Sequence, residues 1–147
     1  MVCFVSMMAA AGNPPLFSTG IAQTEKGELL FTQKNLKRLD VFSRDGSSLL
    51  RSISLDDEPT GLTVDDAKAY VTTFKKAGKL QIVSLESAKV EATVSVGSGA
   101  CYPLLSADKK KLYVCNQFSN TVSEIDLLTR KVVRTANVLR EPKSAVI

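Results

Sequence analysis

Cysteines are the side chains with the most obvious chemical potential in this chain, because the 147-residue sequence contains no histidine. Without imidazole, the chain by itself cannot build a histidine-ligated metal site, a Ser-His-Asp triad or an imidazole acid–base pair. Of the three cysteines, Cys3, Cys101 and Cys115, none belongs to a Cys-x-x-Cys pair, so zinc and thioredoxin-like chemistry have no support. The sequence therefore predicts no catalytic residue, no metal site and no cofactor.

Cys101 and Cys115 flank the polar turn 107–110 nearly symmetrically. If that turn joins two antiparallel strands, the two cysteines lie almost opposite each other, and a disulfide between them is one interpretation. Two buried free thiols are the simpler alternative. A catalytic cysteine would need an activating base, and histidine is not available for that role.

An internal repeat of about 41 residues organises most of the chain and must position any such side chains. The residues separated by 41 and then 42 positions are Leu39, Leu80 and Val122 in one register, and Pro59, Ala100 and Pro142 in another. Independent registers that give one period indicate a true repeat.

Each repeat contains four short runs of strand-like composition, separated by turn-forming residues such as Asp45-Gly46. Four strands in about 40 residues are typical of a β-propeller blade, because a four-stranded sheet buries both faces only by stacking on neighbouring sheets. The sequence therefore predicts an all-β propeller segment of four-stranded antiparallel blades in an incomplete ring. The predicted blades are about 19–59, 60–100 and 101–142, and residues 143–147 begin a fourth.

The third repeat resembles the YVTN β-propeller family, which is named for a Tyr-Val-Thr-Asn strand. In that family a Val-x-x-Ile-Asp strand and then a proline follow. Residues 113–116, Tyr-Val-Cys-Asn, fill the naming positions, residues 122–126 match the next strand, and Pro142 supplies the proline. The second repeat matches at residues 70–73, Tyr-Val-Thr-Thr, and the first matches more weakly at residues 29–32, Leu-Leu-Phe-Thr.

The resemblance covers about residues 19–147 and implies a ring of about seven blades, of which the chain supplies about three and a half. An open ring exposes an apolar blade face, so the remaining blades or an oligomeric partner are needed to close it. We expect the chain to be a fragment of a longer protein, and closure by oligomerisation or packing against another domain is the alternative.

In the family, the loops between second and third strands and the loops that link blades form the binding face. The resemblance therefore implies these candidate binding residues: Lys34, Lys75, Lys76, Gln117, Phe118 and Arg140. A protein or a small ligand is the expected partner. Binding of nucleic acid or another polyanion, for which Phe118 would offer a stacking surface, is a weaker alternative, because the net charge is only +4 and acidic neighbours such as Glu58 offset the lysines.

Three functions are compatible with these features, and a non-catalytic binding module of an exported YVTN-like propeller is preferred. Rigid blades with variable loops suit that role. The second is a fragment of a propeller enzyme, of lactonase or dehydrogenase type, whose active site is completed by further blades. Glu58 and Glu141 would be its candidate carboxylates. The third is a structural repeat of a surface or envelope protein.

Residues 1–12 form an apolar segment that ends in Ala9-Ala10-Ala11 before Gly12, which is similar to the cleavage site of a secretory signal. The positively charged start of such a signal is missing, and a frayed or buried strand is the alternative. The segment is too short to span a membrane. We therefore expect residues 1–17 to be signal-peptide-like or disordered, and the protein to be periplasmic or extracellular.

Overall fold

Three four-stranded antiparallel sheets form the described part of the chain, which in this computed structural model comprises residues 18–74 and 77–143. Each predicted repeat contains one sheet, and the strands of each sheet lie side by side in chain order. The predicted signal-like segment 1–17, residues 75–76 and residues 144–147 lie outside the described residues.

The strands agree with the predicted all-β blade architecture, which is therefore confirmed, and the described residues do not close a ring. The first sheet contains β1 (Ser18–Gln23), β2 (Leu29–Gln33), β3 (Arg38–Phe42) and β4 (Leu49–Ser54). The second contains β5 (Pro59–Val64), β6 (Lys68–Thr73), β7 (Lys79–Ser84) and β8 (Lys89–Ser95). The third contains β9 (Ala100–Leu105), β10 (Lys111–Asn116), β11 (Thr121–Asp126) and β12 (Lys131–Asn137), with a single 3-10 turn at Gln117–Ser119. Within the described ranges, no helix is long and apolar enough to cross a bilayer.

The second sheet is buried on both faces, because successive side chains of a strand point to opposite faces. Val71 and Val83 belong to the core shared with the first sheet, whereas Tyr70 and Ile82 belong to the core shared with the third. Each fully buried side chain of this size stabilises the fold by about 1.5–3 kcal/mol. Stacking of the sheets therefore buries apolar side chains on both faces of the second sheet, as expected for propeller blades.

The sheets radiate from their first strands. β1 packs against β5 and β5 against β9, whereas the fourth strands, β4, β8 and β12, touch far less. We call the end that carries the loops between second and third strands, together with the loops that link sheets, the loop face. The opposite end, which carries the turns between first and second and between third and fourth strands, is the turn face.

Strand pairing corrects the predicted alignment of the first repeat. Gln33, Thr73 and Asn116 each close the pairing between the second and third strands of their sheet, so they are equivalent positions. The first repeat therefore aligns at residues 30–33 and not at residues 29–32. The error arose because the loop between β6 and β7 is one residue longer than its counterparts, which changes the spacing of the second strands.

A candidate binding site on the loop face

The 3-10 turn Gln117–Ser119 holds Phe118 on the loop face. The backbone N–H of Phe118 donates to the carbonyl of Ser98 at 3.1 Å, and that of Gln117 donates to the carbonyl of Gly99 at 3.0 Å. Gly99 has a φ of 73°, and a Cβ there would lie 2.7 Å from the backbone nitrogen of Phe118. Only glycine permits this close approach, so the loop between β8 and β9 fixes the position of Phe118.

Three aromatic side chains remain exposed at this end of the molecule. Phe74 packs edge-to-face against Phe118, with ring centroids 5.1 Å apart. Their exposed fractions are 40% for Phe74, 56% for Phe118 and 56% for Tyr102. Tyr102 occupies the position that Gly20 and Gly61 hold in the first two sheets, and it adopts a left-handed φ of 46°. Aromatic surface left in water at one place is informative, because isolated exposed apolar residues are the norm.

These aromatic residues line a cavity of about 330 Å³, which is near the lower limit for small-molecule sites. Polar and small residues complete the lining: Thr19, Lys34, Thr60, Gly99, Ala100, Cys101, Gln117 and Lys143. The Nζ atom of Lys34 lies 4.0 Å from a carboxylate oxygen of Glu58, so its charge is partly offset. The cavity therefore has flat apolar walls and a weakly basic edge.

Half of the six predicted binding residues meet at this cavity: Lys34, Gln117 and Phe118. Arg140 is exposed on the loop face but does not line the cavity. The other two, Lys75 and Lys76, lie outside the described residues. Of the predicted binding face, the cavity thus contains one lysine, one side-chain amide and one aromatic ring.

Sequence reasoning missed Phe74, Tyr102 and Lys143. A signal for Tyr102 was present, because a tyrosine replaces the glycines of the other two repeats. Phe74 begins the longer loop after β6, and the sequence offered no sign that it would meet Phe118. Lys143 approaches from the segment after β12, which the repeat assigns to a fourth blade.

Cys101 in β9 and Cys115 in β10 are paired across the antiparallel ladder, as predicted. Both are buried and both thiols are free. Burial, and secondarily the neighbouring Cys115, raises the pKa of Cys101 to about 11, and burial also raises the pKa of Cys115. Both thiols are therefore protonated near neutral pH, and a disulfide between them stays a prediction.

The carboxylates considered for an enzymatic site do not line this cavity. Glu58 lies beside Lys34, and the backbone N–H of Glu141 donates to the side-chain oxygen of Asn120 at 2.9 Å. Among residues 18–74 and 77–143, no group of three or more His, Cys, Asp or Glu side chains is arranged to hold a metal ion. The chemical features of the loop-face cavity are thus apolar contact, hydrogen bonding and weak positive charge.

Comparison with known proteins identifies the fold. No family model and no curated protein matches the sequence. The structure is similar to that of Kuenenia stuttgartiensis hydrazine synthase, with a TM-score of 0.81 and 15% identity over 92% of this chain and 41% of that one. It is also similar to apo AztD from Citrobacter koseri, with a TM-score of 0.69 and 18% identity over 92% of this chain and 38% of that one. Both are propeller-type proteins, and the chain spans about two fifths of their length, so it has the fold of a partial β-propeller.

Proposed function

We propose that the chain is a non-catalytic binding module of a propeller with YVTN-like repeats, and that its ligand docks in the loop-face cavity. The observation that carries this proposal is the group Phe74, Tyr102 and Phe118, of which each member stays at least 40% exposed. Aromatic residues are enriched at the energetic centre of binding surfaces. Exposed apolar area costs solubility, so its concentration at one cavity favours a binding role.

The surroundings of the cavity indicate the chemistry of the ligand. Flat rings favour a planar or apolar body, and Gln117 offers an amide donor and acceptor beside it. Lys34 and Lys143 supply positive charge at the edge, which suits one anionic group. Because Glu58 lies beside Lys34, a densely charged polyanion fits less well than a small ligand or a protein segment.

Fluorescence titration with anilinonaphthalene sulfonate tests the proposal, because this probe combines a flat apolar body with one negative charge. Phe118→Ala should weaken its binding about tenfold, since loss of one stacking ring costs about 1–3 kcal/mol. Lys34→Gln should weaken binding by a smaller factor, because Glu58 already offsets the lysine charge.

Leu128→Ala is the matched control, because Leu128 is 92% exposed but lies in the turn between β11 and β12, away from the cavity. This variant should bind the probe as the unmodified protein does. Near-ultraviolet circular dichroism and the urea midpoint must show that each variant is folded, since loosened cores also bind the probe. Equal affinity in the Phe118→Ala and Leu128→Ala proteins would overturn the proposed site.

A further inference from the structure

The cysteine pair occupies a position at which the other two sheets carry a pair of threonines. In the first sheet, the hydroxyl oxygens of Thr19 and Thr32 lie 3.0 Å apart. In the second sheet, the hydroxyl oxygens of Thr60 and Thr72 lie 3.1 Å apart. Counted from the ladder pairs Ser18 with Gln33, Pro59 with Thr73 and Ala100 with Asn116, the threonine pairs hold the same position as the cysteine pair of the third sheet. The third sheet therefore differs from the other two at both members of the pair.

A second contact shows that the side chain of Cys101 has the same orientation as its threonine counterparts. Thr19 and Thr60 donate to the backbone carbonyl that opens the next sheet, at 2.8 and 2.6 Å. The thiol of Cys101 makes the corresponding contact with the carbonyl of Pro142, at a sulfur–oxygen distance of 3.7 Å. The side chain of Cys101 therefore lies between the sheets, as the side chains of Thr19 and Thr60 do.

This pairing brings the backbones of the two cysteines within reach of a disulfide. Residues paired in an antiparallel ladder have Cα atoms about 4.5–5.5 Å apart, within the range of about 4.4–6.8 Å found in disulfides. The threonine oxygens already approach to 3.0 and 3.1 Å at the equivalent positions. Because a C–S bond is longer than a C–O bond, two sulfur atoms at this place can come closer still.

We propose that Cys101 and Cys115 form a reversible disulfide by exchange with a low-molecular-weight disulfide such as oxidised glutathione. Cys101 is the entry thiol, because it lines the loop-face cavity, whereas Cys115 is only 1% exposed. Cys101 loses its proton and attacks the glutathione disulfide, and one glutathione leaves and takes up a proton. Cys115 then loses its proton and attacks the sulfur of Cys101, and the second glutathione leaves and is protonated. Two protein thiols are thus oxidised while one glutathione disulfide is reduced to two thiols.

Burial of the thiols sets the conditions for this exchange. The attacking species is the thiolate, whose fraction is small at neutral pH and grows as the pH approaches the raised pKa of Cys101, about 11. Formation of the disulfide also removes the S–H donor that contacts Pro142. Oxidation therefore changes the contact between the third sheet and the segment that follows it.

Mass spectrometry of the folded Cys3→Ser protein tests the proposal without interference from the third cysteine. After incubation with oxidised glutathione at about pH 9, where thiolate is more abundant, the protein should lose the mass of two hydrogens and react with no alkylating reagent. Trypsin should then release residues 90–109 joined to residues 112–130, and a dithiol reductant should separate them.

Matched variants test the order of the two steps. In the same background, Cys115→Thr should stop at one bound glutathione on Cys101, and Cys101→Thr should remain unmodified while folded. Threonine is the suitable replacement, because the other two sheets carry it at these positions. Persistent glutathione on Cys101 with an alkylatable Cys115 in the Cys3→Ser protein would overturn the proposal. Failure of the folded protein to lose any free thiol would overturn it as well.

Discussion

The loop face and the turn face of this partial propeller differ in which side chains are exposed to solvent and which are paired with other side chains. On the loop face, three aromatic rings stay exposed around a cavity of about 330 Å³. On the turn face, charged side chains pair with one another. The Nζ atom of Lys109 in the third sheet lies 3.0 Å from a carboxylate oxygen of Glu25 in the first. The backbone N–H of Glu25 donates to the carboxylate of Asp66 at 3.0 Å.

Cavity volume does not account for this difference. The turn face has a larger cavity, of about 530 Å³, between the first and second sheets. Four of its charged lining residues are already paired, Arg51 with Glu28 at 2.6 Å and Lys68 with Glu91 at 3.1 Å. A ligand there would have to replace satisfied ion pairs, whereas a ligand on the loop face would cover exposed rings. Exposed aromatic surface therefore identifies the candidate site better than cavity volume does.

Gly99→Ala should have the largest effect on stability, because it strains the loop between β8 and β9 that positions Phe118. The left-handed φ of 73° and the 2.7 Å approach to the backbone of Phe118 both oppose a Cβ. Together they should lower the free energy of unfolding by about 3 kcal/mol. Urea denaturation measures this loss, and titration with anilinonaphthalene sulfonate should show weaker binding.

Gly46→Ala provides the matched control on the turn face. Gly46 has a similar φ of 72°, but the nearest atom to a Cβ there is a methyl group of Leu29 at 3.8 Å. Its cost should therefore be the conformational part alone, about 1 kcal/mol. If the two variants lose the same free energy of unfolding, the loop around Gly99 accommodates a Cβ without strain and does not hold Phe118 in place.

The sequence predicted the blades well because strand patterns and turn residues are local signals. The 41-residue period located all three sheets, and symmetry about the turn 107–110 located the pairing of Cys101 with Cys115. Contacts between sheets could not be predicted in this way, because they depend on loop lengths that shift one strand relative to another. The extra residue in the loop after β6 hid the equivalence between the threonine pairs and the cysteine pair. It also hid the meeting of Phe74 with Phe118, for which no local signal exists.

Thr60→Val should have an intermediate effect, because it removes a hydrogen bond between sheets at the loop face while keeping the side-chain shape. The hydroxyl of Thr60 donates to the buried carbonyl of Ala100 at 2.6 Å. Loss of this donor should lower the free energy of unfolding by about 1.5 kcal/mol, since the carbonyl is left without it. Thr60→Ser keeps the hydroxyl and should lose less than about 0.5 kcal/mol. If valine and serine behave alike in urea denaturation, packing and not the hydrogen bond joins the sheets here.

Lys109→Gln should have the smallest effect, although it breaks a contact between the first and third sheets. The side chains of Lys109 and Glu25 are 48% and 74% exposed, so water and salt screen their attraction. The hydrogen bond from Lys109 to Glu25, and then the charges of Glu25, Asp66 and Asp65, raise the pKa of Lys109 above the ordinary 10.5. A raised folded-state pKa means that the contribution is complete below the unfolded-state pKa and disappears as the pH rises through the folded-state value.

Urea midpoints of the unmodified and Lys109→Gln proteins should therefore differ slightly at neutral pH, and the difference should shrink above about pH 10.5, as the lysine loses its charge. About 1 M sodium chloride should remove the difference between the two urea midpoints, because the electrostatic screening length falls to about 3 Å. Suppose instead that the difference matches that of Thr60→Val and survives in salt. The turn face would then hold the sheets together as strongly as the loop face does. The contrast between a paired, weakly contributing face and an exposed binding face would have to be abandoned.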